Sequence, residues 1–284
     1  MAESLSHKFG QIIGDLLELA IEPHLQKFAK DNSLFLDKKG KRKARTGKKV
    51  SWTDGKGNKH DLDFVLERSG TESEIGVPVA FIESAWRRYT KHSRNKAQEI
   101  QSAIVPLTEK YKSSSPFIGV VLAGVFTEGA LNQLKSLDFG VLYFPYDTVI
   151  KAFKKAKINA DFDEKTSEQD FRTKIDSWQN LVDKAVVAKE LLLLNKKEVD
   201  QFFNLLSESV SRFIESVLIF PLHGQESSVK TVAEAIDYIT KYSEDKPKQP
   251  IVKYEIIIRY NTGDKIEASF KGKKDAIKFL ETYL

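Results

Sequence analysis

Two short apolar segments, each carrying a carboxylate, constrain this chain most. They are His60-Asp61-Leu62-Asp63-Phe64-Val65-Leu66-Glu67 and Pro78-Val79-Ala80-Phe81-Ile82-Glu83-Ser84-Ala85-Trp86-Arg87-Arg88. Both read as β-strands, joined by a stretch rich in Gly, Ser, Thr and Glu. Adjacent strands hold side chains in register, so Asp63 and Glu83 are expected side by side. Two neighbouring carboxylates make a hard, oxygen-only site suited to Mg²⁺. Either acid read alone is a solvated charge at a strand end. Glu83 argues against that, because it follows four apolar residues, Val79 to Ile82, where a charge is costly without a partner or a cation.

The chain has 284 residues, enough for one large domain or two modest ones. Its 41% hydrophobic and 30% charged content fits a soluble globular protein. Cysteine is absent, which excludes disulfides and thiolate metal sites. The five histidines are scattered, which argues against structural zinc. No apolar run reaches the roughly 18–20 residues of a membrane span, and Met-Ala-Glu-Ser-Leu-Ser-His-Lys at the start lacks the apolar core of a secretory signal. The expectation is a cytoplasmic protein with no membrane partner.

Charge is concentrated. The formal net charge is +5, yet the segment from Lys38 to Lys49 carries eight Lys or Arg and no acid, so the rest of the chain sums to −3. Such a segment is a natural contact for a phosphate backbone, and equally a solvated loop or a localisation signal. Its position just before the carboxylate strands favours nucleic acid. Lys41, Arg42, Lys43, Arg45, Lys48 and Lys49 are the candidate DNA contacts here. A second cluster, Trp86, Arg87, Arg88, Tyr89, Lys91, His92, Arg94 and Lys96, mixes cations with aromatics and adds Arg88, Lys91 and Arg94 to that set.

Element order completes the reading. A helix is expected over Leu5–Lys30, kinked or split at Pro23. Strands follow at Val50–Trp52, His60–Glu67 and Val77–Trp86, with Asp54-Gly55-Lys56-Gly57-Asn58 as a turn. A helix from Asn95 to Tyr111, bent at Pro106, precedes the wholly apolar strand Phe117–Val125, which reads as covered on both faces. A helix over Thr127–Leu137, a strand over Phe139–Phe144 and a helix over Asp147–Lys157 end the first part. This order implies an α/β fold with a mixed central sheet flanked by helices, spanning 1–160. A helical region is expected over 161–245, with residues 164–218 helical in successive amphipathic runs and a helix over Val229–Tyr242. A small C-terminal β-hairpin-helix is expected over 246–284, after a linker at Lys246-Pro247-Lys248-Gln249-Pro250. No internal repeat is apparent. Gly119 and Gly124 flank a strand but no Gly-Lys-Ser/Thr follows, so no phosphate-cradling loop is indicated.

Over roughly residues 8–145 the chain resembles the PD-(D/E)xK nuclease superfamily, which includes many type II restriction endonucleases. The resemblance rests on element order and three carboxylates. Gly14-Asp15-Leu16-Leu17-Glu18 looks like the family's N-terminal helix with its acid, Asp63 matches the metal-binding Asp, and Glu83 matches the first acid of the (D/E)xK element. Ala85 stands where the family places Lys. Along an extended strand Glu83, Ala85 and Arg87 share a face, so Arg87 is one replacement cation. Lys96, at the start of the next helix, is the preferred one, since some family members carry the lysine there.

The resemblance implies a Mg²⁺-dependent DNA endonuclease of restriction type, acting on double-stranded DNA and, by family analogy, as a homodimer. Glu18, Asp63, Glu83, Lys96 and Arg87 would form its catalytic set, with Asp63 and Glu83 on the metal. The alternative is a non-catalytic DNA-binding protein on a degenerate nuclease fold, which the missing lysine supports.

Overall fold

The computed structural model describes residues 4–211, 213–222, 225–244, 253–261 and 263–284. Two compact units emerge, one comprising Met1–Tyr111 and Pro116–Ser207, the other Lys112–Ser115 and Glu208–Leu284. The expected division at 160/161 and 245/246 is therefore replaced by one near 207. The helices after 160 do not form a body of their own: those between Glu168 and Leu194 belong to the first unit, and that over Val232–Lys241 belongs to the second.

The first unit opens with α1 (Leu5–Asp31), whose N-cap Ser4 side chain accepts from the His7 N–H. It is a single helix through Pro23. There follow β1 (Leu34–Lys38), β2 (Val50–Thr53), β3 (Lys59–Leu62), β4 (Phe64–Arg68), β5 (Val77–Arg87) and α2 (Ser93–Lys110), which contains Pro106. Next come β6 (Phe117–Gly124), α3 (Glu128–Lys135), β7 (Gly140–Pro145), α4 (Tyr146–Lys155), α5 (Glu168–Gln179), α6 (Ala185–Leu194) and α7 (Lys196–Val210). The main sheet has the order β1-β4-β5-β6-β7. Pairing is antiparallel from β1 to β5 and parallel from β5 to β7, so the sheet is mixed, as expected.

Burial explains the arrangement. Every residue of β6 is buried, as a strand covered on both faces must be. On one face Phe81, Ala85, Val120 and Leu122 pack against Ala97, Ile100 and Ile104 of α2 and Ala130 and Leu134 of α3. On the other, α1 packs against β5, β6, α5 and α6, burying Phe9, Ile13, Leu16 and Leu17.

Two departures from the sequence reading matter for the site. His60–Glu67 is not one strand. The chain bends at Asp63, so β3 pairs with β2 in a separate hairpin while β4 enters the main sheet. The edge strand β1, hidden in sequence by the basic run it adjoins, pairs with β4.

The second unit contains β8 (Ile214–Pro221), β9 (Ser227–Val229), α8 (Val232–Lys241), β10 (Tyr254–Tyr260), β11 (Lys265–Phe270) and α9 (Lys273–Glu281). The helix expected through 218 stops short. α7 ends at Val210, and the β-branched run Ile214, Val217 and Ile219 forms a strand paired to β10. The linker expected at Lys246–Pro250 lies outside the described residues. The sheet order is β11-β10-β8-β9, with α8 and α9 on one face.

This unit is an internal repeat, contrary to the sequence reading. Hairpin then helix occurs twice, and the central strands meet at the pair Ile219↔Ile256. The run Ser228–Tyr242 recurs at Ser269–Tyr283. Identities fall at Ser228/Ser269, Lys230/Lys271, Ala235/Ala276, Ile236/Ile277 and Tyr242/Tyr283, and Glu234/Asp275, Tyr238/Phe279 and Ile239/Leu280 are conservative. Ala235, Ile239, Ala276 and Leu280 are the buried helix positions of the two copies. Among the described residues no helix is long and apolar enough to cross a membrane.

A buried ionic network ties the basic segment to the sheet. Arg42, with its side chain 2% exposed, meets Glu67 through Nη1–Oε1 at 2.6 Å and Nη2–Oε2 at 2.9 Å, and Asp37 Oδ2 at 2.9 Å. It also donates to the Thr71 and Glu74 carbonyls and lies 4.2 Å over the Phe35 ring. Arg45 pairs with Asp37 at 3.1 Å and donates to the Lys38 and Gly47 carbonyls. Removing one member of such a network leaves an uncompensated buried charge. Arg42→Met is expected to lower stability to urea by about 3–5 kcal/mol, while Lys41→Ala and Lys43→Ala stay within about 0.5 kcal/mol. Equal losses for all three would contradict the buried role of Arg42.

Candidate active site

Glu83 lies near the middle of β5, hydrogen-bonded into the sheet between β4 and β6, and is 9% exposed. Strand alternation puts it with Phe81 and Ala85 on the side facing α2. The β4–β5 register pairs Phe64 with Ile82, and one further step would set Asp63 opposite Glu83. The chain bends there instead, and side chains replace the ladder. Asp63 Oδ2 accepts from the Ser84 N–H and the Ser84 hydroxyl, each at 2.7 Å, and the Asp63 N–H donates to the Glu83 carboxylate. The two acids are therefore tied through the backbones of Asp63 and Ser84. Ser84, the partner that orients Asp63, is invisible to sequence reasoning, because a Ser between Glu83 and Ala85 carries no signature of its own.

This arrangement is electrostatically unfavourable without a cation. Burial, then the Asp63 charge, push the Glu83 carboxyl up to about 8, with Lys96 and the Asp63 N–H pulling the other way and Glu18 adding to the rise. Burial and the Asp63 charge push Glu18, from α1, up to about 7, opposed by Lys39. Glu18, Asp63 and Glu83 line one cleft of about 900 Å³, together with Ser84, Arg87, Arg88 and Lys96.

Among the described residues no group of three or more His, Cys, Asp or Glu side chains stands close enough, as placed, to hold a metal ion. The linked pair Asp63 and Glu83 is the nucleus of any cation site, with Glu18 behind it. Two carboxylates suit Mg²⁺, which keeps several of its waters and takes one or two carboxylates from a protein. A buried acid that holds its proton at neutral pH fits this, because a cation would take that proton's place.

The cations come from two directions. Lys96 precedes Ala97, which packs in the same apolar cluster as Ala85, so α2 brings an ammonium to the face where Ala85 has none. Lys96 Nζ lies 3.5 Å from Glu99 Oε2, and Arg87 Nη2 lies 3.7 Å from the same oxygen. Glu99, 60% exposed, thus forms a loose surface ion pair with each candidate replacement. Gly124 fixes the end of β5: its φ is +100°, and a Cβ there would meet the Arg87 carbonyl at 2.1 Å. Arg88 leaves the strand on the Trp86 side and donates from Nε to the Phe162 carbonyl at 2.7 Å.

The remaining candidates do not converge on the cleft. Arg42 and Arg45 are corrected from DNA contacts to structural residues, since their guanidinium groups are consumed by Glu67, Asp37 and backbone carbonyls. Lys41, Lys43, Lys48, Lys49, Lys91 and Arg94 are exposed, Lys49 in a surface pair with Asp61 at 2.6 Å. Among the described lining residues none belongs to the basic segment.

No family model and no curated protein matches this chain. A solved structure described as a crystal structure of a protein of unknown function, AF1548, aligns with a TM-score of 0.29 and 10% identity, over 68% of this chain and 98% of that one.

The metal-free protein should show a Glu83 carboxyl titration centred near 8 by carbon NMR, and Asp63→Asn should move it down by removing the like charge. The fold favours the protonated form. That contribution is complete below the ordinary carboxylate value and is lost as pH rises through about 8. Wild type should therefore lose stability relative to Glu83→Gln between roughly pH 5 and pH 9. A Glu83 midpoint in the ordinary carboxylate range would contradict the burial described here.

Proposed function

We propose that this chain is a divalent-metal-dependent DNA endonuclease of the PD-(D/E)xK kind, resembling type II restriction enzymes. The observation that carries this reading is the Asp63–Glu83 pair, locked by backbone hydrogen bonds in one cleft with Glu18 and Lys96. In this reading Asp63 and Glu83 hold Mg²⁺. When bound, the ion would activate a water and offset charge on the scissile phosphate.

The chain's own residues supply the rest. Ser84 fixes the Asp63 carboxylate through two donors, so one oxygen stays oriented. Glu83 would hold the ion as a carboxylate, its proton passing to solvent. Glu18 is held part-way protonated at neutral pH and is suited to exchanging a proton with water in the cleft. Lys96 takes the role the absent lysine at 85 would have filled, and Arg87 supports it from the strand. The substrate is double-stranded DNA, met by exposed Lys41, Lys43, Lys48 and Lys49 and by Lys91 and Arg94. A homodimer cutting both strands, located in the cytoplasm, belongs to the same proposal.

A second reading has one observation in its favour. Ala85 is buried in the apolar cluster, so its position supplies no cation, as in a degenerate nuclease fold that binds DNA without cutting. Plasmid incubation with and without Mg²⁺ separates the two. Discrete Mg²⁺-dependent bands, lost in the Asp63→Asn, Glu83→Gln double variant, support the endonuclease. Binding without cutting under any divalent ion supports the second reading.

Lys96→Ala is expected to lower cleavage by about 10²–10³-fold with folding and most DNA affinity intact. If Arg87→Ala has that effect and Lys96→Ala does not, the cation assignment is wrong. Neutralising Lys41, Lys43, Lys48 and Lys49 should reduce the log–log salt slope of binding by roughly 0.9 for each phosphate left without its cation. An unchanged slope would remove the segment from the interface.

A further inference from the structure

Arg88 is held unlike any other cation near the cleft. Its Nε donates to the Phe162 carbonyl at 2.7 Å. Its guanidinium lies 4.0 Å over the Tyr146 ring, with Tyr89 and Phe162 at 5.2 and 5.4 Å. Tyr146 is itself fixed, donating to Asp161 and accepting from the Phe162 N–H at 2.8 Å. Arg88 Nη1 and Nη2 have no hydrogen-bond partner among the described residues, and the side chain lines the cleft. A half-buried guanidinium with its stem, Nε and faces immobilised, and its terminal donors open to a cleft, has already lost the conformational freedom that binding an anion would cost it.

We infer that Arg88 forms a single-phosphate subsite, separate from the acid pair, that grips one phosphate of the substrate strand through the two terminal nitrogens. The assignment of the phosphate to a nucleic acid rests on the endonuclease reading. Arg88 follows Glu83 by five positions, roughly 16 Å between Cα atoms in extended chain, and its side chain leaves toward Phe162 and Tyr146 rather than back toward Glu83, so the subsite is displaced from the acid pair. The subsite also lies out of phase with Glu83 along the strand, on the Trp86 side. The cleft near it is not a general cationic track. Asp163 follows the Phe162 that holds Arg88, and Glu164 and Glu168 also line the cleft as exposed acids. Hydrogen bonds from the Lys165 N–H and the Thr166 hydroxyl hold the Asp163 carboxyl below its usual range, so it stays charged. A backbone running on past Arg88 meets these carboxylates, so the site selects one phosphate rather than a continuous line of them. Guanidinium geometry adds selectivity, because its paired N–H groups match two phosphate oxygens while an ammonium is a point charge.

The test uses the full chain. Inorganic phosphate is titrated calorimetrically into metal-free wild type, Arg88→Gln and Arg88→Lys, with circular dichroism melts as the folding check. Affinity should fall roughly tenfold or more in Arg88→Gln and by a smaller factor in Arg88→Lys, while Asp63→Asn and Glu83→Gln do not weaken it. In wild type, the guanidinium ¹H–¹⁵N signals of Arg88 should shift on adding phosphate, a readout that survives even if a variant misfolds. For cleavage of a short DNA duplex, Arg88→Lys should raise KM with kcat unchanged, as loss of ground-state binding requires. Unchanged phosphate affinity in Arg88→Gln, or Arg88 signals that do not move, would overturn the subsite. Absence of metal-dependent cleavage in wild type, with Arg88-dependent phosphate binding retained, would instead overturn the endonuclease reading and leave the subsite standing.

Discussion

One buried carboxylate sets the terms for the site. Glu83 sits inside the central sheet, where a charge has little solvent to stabilise it, and the nearest acid is Asp63, held there by the sheet itself. The bonds from Ser84 to Asp63 and from Asp63 to Glu83 do what the β ladder would have done had the chain not bent. The bend is thus doubly useful. It frees β3 to form its own hairpin with β2, and it turns two carboxylates toward one cleft. The Asp63 charge beside it adds to the rise in the proton affinity of Glu83, and a divalent cation bound there would do what the proton otherwise does.

The basic segment shows how composition misleads when charges are counted rather than placed. Its eight cations look alike in sequence. In the fold, Arg42 and Arg45 face inward and neutralise Glu67 and Asp37, while Lys41, Lys43 and Lys48 remain outside. The sequence holds a hint of this: the two arginines are the residues able to satisfy several carbonyls and carboxylates at once, and Glu67 ends an apolar run much as Glu83 does. Local pattern does not reveal the role of Glu67, because its partner lies 25 positions away in the chain.

Much of the sheet is legible. Val77–Arg87, Phe117–Gly124 and Gly140–Pro145 of the main sheet, and Val50–Thr53 of the separate hairpin, are strands where apolar runs or alternation indicate them, and Asp63 and Glu83 do line one cleft. The failures have physical causes. The run ending at Leu218 fits a helical spacing and a strand equally well, and pairing with β10 decides it. The C-terminal repeat is faint in sequence because its identities, such as Ala235/Ala276 and Tyr242/Tyr283, are single residues within a run dominated by interchangeable apolar side chains. The placement of Lys96 is an inference from helix position that the packing of Ala97 beside Ala85 supports. Nothing in sequence distinguishes Arg88 from Arg87, since only the fold brings Phe162 and Tyr146 to it.

The central claim is that Asp63 and Glu83 form a cation site whose charge repulsion is relieved by a divalent ion. Calorimetric titration of Mg²⁺ in two buffers of different ionisation enthalpy tests it most directly. The account predicts binding coupled to proton release at neutral pH, weakening as pH falls, and abolished in the Asp63→Asn, Glu83→Gln double variant. Mg²⁺ binding without proton release, or binding equally strong in that double variant, would contradict it.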